Sequence, residues 1–291
     1  MSEVIVETCD PAHALQCLEI WGGSGPIHET VSVPGIDLWI SSDPCCGDPN
    51  GGDIYFVSVC GCQQVSRFVV ADVAGHGGAA GKLAKRLRQL MRKHIGTADQ
   101  TRFAQALNRE FSDLARNGRF ATALLATYVP QTDHLVFCNA GHPPPIWYRA
   151  ATQSWAVIRQ DIAPQTNAAM NVPLGVIKLT DYVQFAIPLA KDDLVLIYSD
   201  SLIEARDPQG RMLGEEGFLD LLRGLHVGRL ADFGRAALEA AASFRGGIPA
   251  NDDMTLLVLH HNAANPKKLN IGQKLHVIAK IFASSVPVMI N

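Results

Sequence analysis

No run in the 291-residue chain approaches the roughly 20 uninterrupted apolar residues that a membrane-spanning helix requires. Lys and Arg are missing altogether from residues 1–66, a stretch that carries nine acids. Nor is there a basic excess overall: 25 Lys and Arg stand against 28 Asp and Glu, for a net charge of −3. Dedicated nucleic-acid binders carry a basic stripe or a high pI, so that class is excluded. The opening MSEVIVETCD has neither a basic start nor an apolar signal core, and the expectation is a soluble cytoplasmic protein that does not engage a membrane. Evenly paired cysteines are also lacking. The seven fall at Cys9, Cys17, Cys45, Cys46, Cys60, Cys62 and Cys138, which fits reduced packing thiols better than a disulfide scaffold. Cys60-Gly61-Cys62 could clip a metal but has no second Cys or His pair at zinc spacing.

What is present is a chain that is 47% hydrophobic and 18% charged, ample for a sizeable core. Short β-like runs recur at Ile54–Cys60, Arg67–Ala71, Ala123–Val129, Leu135–Cys138, Val183–Ile187, Leu194–Ser199 and Met254–His260. Several are joined by short polar turns such as Pro130-Gln-Thr-Asp133, and short turns connect only antiparallel neighbours. Helical spacing marks Gly81–Ile95, Thr101–Arg116 and the region Glu215–Phe244. Together these predict an α+β sandwich of antiparallel strands covered by helices, with one domain spanning about residues 35–262. Residues 1–34 read as an N-terminal extension and 263–291 as a C-terminal tail, whose apolar part Leu275–Ile290 packs on the core or docks a partner.

The segment Arg67-Phe-Val-Val-Ala-Asp72-Val-Ala-Gly75-His-Gly77-Gly-Ala-Ala80 runs strand, glycine loop, helix. It meets the Gly-x-Gly-x-x-Ala dinucleotide pattern, but no acid ends a following strand some 20 residues on, and the neighbouring strands are antiparallel. As a phosphate loop it fails, because Gly81-Lys82 is followed by Leu83. Acids at strand ends say more. Asp53 opens one strand, Asp72 and Asp200 close two others, and Asp252-Asp253 opens a fourth. In antiparallel sheet the end of one strand lies beside the start of the next, so all four positions can meet at one edge. Two carboxylates about 4 Å apart repel by roughly 4 kcal/mol at an effective dielectric of 20, so such a cluster calls for cations. Oxygen donors without His or Cys favour Mg²⁺ or Mn²⁺, and the usual chemistry of a pair of such ions is phosphate-ester hydrolysis. The alternative is that these aspartates merely form turns.

Gly51-Gly52-Asp53, Asp72-Val-Ala-Gly-His-Gly77, Asn139-Ala-Gly-His142-Pro-Pro, Tyr198-Ser-Asp200 with Glu204-Ala-Arg206, and Asp252-Asp-Met-Thr255 stand in an order and spacing that resembles a known family. The family is the metal-dependent PPM (protein phosphatase 2C-like) serine/threonine phosphatases, in their bacterial SpoIIE-like branch. The resemblance implies two stacked antiparallel sheets between helical layers, with two Mn²⁺ or Mg²⁺ ions at one edge. It implies that Asp72 bridges both ions, that Asp53 and the Val73 carbonyl complete one, and that Asp200 and Asp252 complete the other. A water between the ions would attack the phosphoryl group in line, with no covalent phosphoenzyme; Asp72 and Asp200 would be the central catalytic carboxylates. The implied substrate is a phosphorylated regulatory protein, such as an anti-sigma-factor antagonist in a partner-switching pathway.

Departures from the family pattern stand at Ser201, where glycine is usual, and at Phe56, where the first motif often ends in Asp. No Arg precedes Asp53, as is common in this branch. Ser201 motivates a second reading, a catalytically weak module that signals by protein binding. His76 and His142 lie in glycine turns and read as structural. The basic face of Gly81–Ile95 is either solvated or a landing place for an acidic phosphoprotein.

Overall fold

The computed structural model describes residues 17–45, 47, 49–60, 65–75, 77–115, 118–160, 170–264 and 288–290. In chain order its strands are β1 (Cys17–Gly23), β2 (Ile27–Val33), β3 (Ile36–Asp43), β4 (Asp53–Cys60) and β5 (Ser66–Val73). After helices α1 (Gly78–Lys93) and α2 (Gln100–Leu114) come β6 (Ala121–Val129), β7 (His134–Ala140), β8 (Ile146–Arg149), β9 (Ser154–Gln160), β10 (Gln184–Pro188) and β11 (Leu194–Tyr198). Helices α3 (Gly214–Arg223) and α4 (Leu230–Phe244) then precede β12 (Met254–His261) and β13 (Val288–Ile290).

These strands form two antiparallel sheets, one ordered β1-β4-β5-β6-β7-β10 and the other β13-β9-β8-β11-β12-β3-β2. The α+β sandwich expected from the sequence is therefore the observed architecture. The strand period explains its three apolar layers, because alternate residues face opposite sides of a sheet. Ile54 and Phe56 of β4, and Val69, Ala71 and Val73 of β5, join Leu87, Met91, Phe103 and Leu107 under α1 and α2. Tyr55, Val57, Phe68 and Val70 take the other parity and pack against Leu38, Ile40, Ile197 and Leu257 in the gap between the sheets. A third layer beneath α3 and α4 holds Trp39, Leu196, Tyr198, Phe218, Phe233 and Val258.

Both helical regions appear where the spacing placed them, and the second divides at Gly224 into α3 and α4. β1 and β2, within the stretch read as an extension, add edge strands to the two sheets by pairing with β4 and β3. Val288–Ile290 of the tail pairs with β9; the rest of Leu275–Ile290 lies outside the described residues. Cys138 is a free buried thiol, whereas Cys45 is engaged in a disulfide, which corrects the expectation of uniformly reduced cysteines. No helix among the described residues is long and apolar enough to cross a membrane.

Candidate functional site

Strand parity delivers the first two acids. Asp53 and Asp72 are register partners across β4 and β5, and Asp72 in turn pairs with Thr122 of β6. Asp53 shares its parity with Tyr55, and Asp72 with Val70, so both lie on the side of their sheet that faces the intersheet gap. Beyond the last apolar layer of that gap they form its rim. Val73 falls on the opposite face, its side chain fully buried under α1. Phe56 likewise sits on the helix side of β4. An acid at position 56 would point away from the rim, so this departure from the family pattern leaves the acid cluster intact.

The facing sheet supplies the remaining carboxylates. Asp200 begins a 3-10 turn, Asp200–Leu202, immediately after β11, and its carbonyl accepts the amides of Ile203 (2.9 Å) and Glu204 (2.8 Å). Ser199 ties this end to β12: its amide donates to the Thr255 carbonyl at 3.0 Å and its hydroxyl accepts the Thr255 amide at 2.9 Å. Asp252 and Asp253 precede β12 and part company. Asp252 is exposed and, among the described residues, accepts only its neighbour's amide, at 2.9 Å. Asp253 is buried, and its carboxylate accepts the amides of Cys45 (2.6 Å), Gly52 (2.5 Å) and Asp53 (3.2 Å). Asp253 thereby clamps the loop that leads into Asp53 to the other sheet, a role that two adjacent acids in a sequence do not disclose.

Gly51 and Gly52 are required by that clamp. A Cβ on Gly51 would fall 2.2 Å from Asp253 Oδ2. One on Gly52 would fall 2.9 Å from the Val73 carbonyl oxygen and 3.4 Å from Asp72 Oδ1, filling the space those oxygens face.

The electrostatics are those of crowded acids. Burial first, and the Asp72 charge second, push the Asp53 carboxyl well above the usual carboxylate range. Burial, followed by Asp200, Asp252, Asp253 and Glu204, pushes Asp72 up to about 7. Asp200 is raised by burial, Glu204 and Asp252, and drawn back by backbone amides at Ser201 and at its own position. All four predicted aspartates are thus electrostatically connected, and Glu204 joins them. Glu204 went unassigned in the sequence because it lies within a turn rather than at a strand end.

The donor set fits hard cations. Every named group is an oxygen, and Asp53 Oδ2 is buried without a hydrogen-bond partner among the described residues. Among those residues no three His, Cys, Asp or Glu side chains close into a finished cage. Such a rim suits Mg²⁺-like ions, which keep several waters and take few carboxylates each.

His142 is buried beside the rim. Its Nδ1 lies 2.8 Å from the Thr122 hydroxyl, and Asn139 closes its turn through bonds to the His142 carbonyl (2.9 Å) and amide (2.8 Å). Burial pulls the imidazole down to about 3, against a weaker upward pull from the Tyr198 backbone. Burial thus favours the neutral imidazole, held in its glycine turn by these contacts. Ser201 is buried, lacks a positive φ, and places its hydroxyl 3.4 Å from that of Ser199, so the position does not demand glycine. His76 lies outside the described residues.

Comparison with known proteins agrees with this architecture. The RsbU and RsbW domains of Rv1364c from Mycobacterium tuberculosis superpose with a TM-score of 0.64 at 23% identity, over 89% of this chain and 72% of that one. The PP2C phosphatase domain of SpoIIE from Bacillus subtilis, with a fragment of its regulatory domain, gives 0.63 at 19% identity, over 80% and 64%. The catalytic domain of the serine/threonine protein phosphatase PstP, in complex with two manganese ions, gives 0.54 at 17% identity, over 77% and 97%. At these identities the likeness establishes the fold. Membership rests on the sequence itself: residues 63–262 match the family described as Stage II sporulation protein E (SpoIIE), and the chain belongs to that family of PPM-type phosphatases.

Proposed function

We propose that the protein is a metal-dependent phosphoprotein phosphatase that hydrolyses phosphoserine or phosphothreonine on a regulatory protein. The observation that carries this reading is the acidic rim, where Asp53 faces Asp72 and burial with like charge raises both. Two Mn²⁺ or Mg²⁺ ions would be held by Asp53, Asp72, the Val73 carbonyl, Asp200 and Asp252. When bound, such ions supply Lewis acidity toward a phosphoryl oxygen and a lowered pKa for an attacking water.

The chain's own part is positioning. Asp72, the acid that senses the most neighbours, takes the central place. Gly52 keeps the oxygens of Val73 and Asp72 clear, and Asp253 holds the Asp53 loop through three amides. Amides at Asp200 and Ser201 favour the ionised form of Asp200. The fold neighbours include regulatory phosphatases, which supports a phosphorylated signalling protein, such as an anti-sigma-factor antagonist, as the substrate.

Hydrolysis of p-nitrophenyl phosphate, measured with Mn²⁺ and with EDTA beside an Asp72→Asn variant, tests the proposal. Turnover that requires Mn²⁺ and falls at least 100-fold in the variant is expected, the scale of losing an essential electrostatic stabiliser. Absence of turnover in folded wild-type protein with Mn²⁺ would overturn it in favour of a module that acts by binding.

A further inference from the structure

From Val73 to Ala98 the chain contains no acid, yet it carries Lys82, Lys85, Arg86, Arg88, Arg92 and Lys93. The structure splits these six into two groups. Arg88 and Arg92 are paired with Glu19, and Lys93 with Glu110, all toward the middle and end of α1. Lys82, Lys85 and Arg86, in the half that starts next to the acidic rim, are exposed and form no ion pair among the described residues. They occupy one face of the helix at i, i+3 and i+4.

That face lines a groove of about 670 Å³, completed by Ala79, Leu83, Gln89, Leu114 and Arg119. Arg119 is also exposed and without an acidic partner among the described residues. Leu114 is 41% exposed, and Phe120, next to Arg119, is 37% exposed, so apolar surface accompanies the cations. Segments next to the groove lead on to the rim on two sides. The first turn of α1 rests on the carbonyls of Asn50 and Gly51, since a Cβ on Gly81 would fall 3.1 Å from Asn50 O. On the other side the Ala74 amide donates to the Phe120 carbonyl at 2.9 Å, two residues after Asp72.

We propose that this groove seats an acidic segment of the phosphoprotein substrate, adjacent to its phosphorylated residue. The inference rests on the phosphatase reading and specifies its substrate class. Charge complementarity selects the occupant: the rim repels acidic side chains, whereas the four cations that line the groove, without ion pairs among the described residues, attract them. The exposed Leu114 and Phe120 suit a polypeptide, which offers apolar side chains between its acids.

The test uses the full chain and two synthetic phosphoserine peptides, one flanked by Asp and Glu, the other by Ala and Gln. At low ionic strength the wild type is expected to show roughly tenfold higher kcat/KM on the acidic peptide, a preference that declines with salt. In a Lys85→Glu/Arg86→Glu double variant, and in Arg119→Glu, the ratio of the two values is expected to fall toward one. Fluorescence anisotropy of the labelled acidic peptide, titrated with the same proteins, gives an arm that needs no turnover. If p-nitrophenyl phosphate is not hydrolysed, the phosphatase reading fails while the anisotropy still decides the groove. Equal kcat/KM for the two peptides in the wild type, or an acidic preference that survives all three charge reversals, would overturn the proposal. So would displacement of the peptide by an equal charge concentration of single-stranded RNA.

Discussion

Asp252 and Asp253 are adjacent and chemically identical, but their surroundings give them separate tasks. Asp253 accepts three backbone amides in a buried setting, and Asp252 is exposed with a single amide contact. Asp253→Asn replaces one accepting oxygen with an NH₂ that meets backbone N–H groups head-on. Leaving buried donors unsatisfied costs about 1–3 kcal/mol, so this variant is expected to melt earlier even without metal. Asp252→Asn removes a rim charge without breaking a buried hydrogen bond, so its metal-free melting temperature is expected to hold or rise while metal-dependent turnover weakens. Thermal melts in EDTA beside Mn²⁺ titrations of activity separate the two. Equal melting temperatures for the variants would remove the clamp role from Asp253.

At the scale of the element, the site exists because strand parity and strand ends coincide. Asp53 and Asp72 point into the intersheet gap at its rim, and the turns after β11 and before β12 meet them there. The sequence disclosed the strand-end acids because each bounds an apolar run. It did not disclose which face they take. Both sheets are covered on both sides, so β4, β5 and β6 read as continuous apolar stretches rather than as alternating ones. The stacking of two sheets was accordingly legible from motif resemblance and not from periodicity. β2 was invisible for a different reason: it is an edge strand with mostly exposed side chains, and β3 beside it interrupts its apolar run with Asp37, Ser41 and Ser42.

The turn after β7 is legible in retrospect as a device that buries an imidazole between sheets. His142, neutral down to about pH 3, cannot exchange protons with a substrate near neutrality. His142→Gln is therefore expected to lower stability by about 1–3 kcal/mol through the lost Thr122 contact. It should leave the shape of the pH–kcat curve between pH 5 and 9 unchanged. Disappearance of one limb of that curve in the variant would make His142 a catalytic group.

Across the whole molecule, the crowded rim links folding to both pH and cations. Asp72 has a folded pKa of about 7 against an ordinary 3.8, so the fold binds its proton more tightly than the unfolded chain does. Its contribution is most favourable below about pH 3.8 and is lost as the pH rises through about 7, when Asp72 ionises among its acidic neighbours. Asp53 and Asp200 are shifted in the same direction and contribute with the same sign. A divalent cation binds the ionised rim and has to displace protons at lower pH, so its stabilisation is weighted toward high pH. At a hundredfold excess over its dissociation constant a ligand stabilises the folded state by about 2.7 kcal/mol, or roughly 5–10 °C for a domain of this size. Adding Mn²⁺ at pH 8 is therefore expected to raise Tm by about that amount, with a much smaller rise at pH 5 and full reversal by EDTA. Asp72→Asn removes one charge from the rim and should raise the metal-free Tm at pH 8 while abolishing most of the Mn²⁺ response. A rise with Mn²⁺ that is equal at both pH values and survives in Asp72→Asn would place the cation somewhere other than between these sheets.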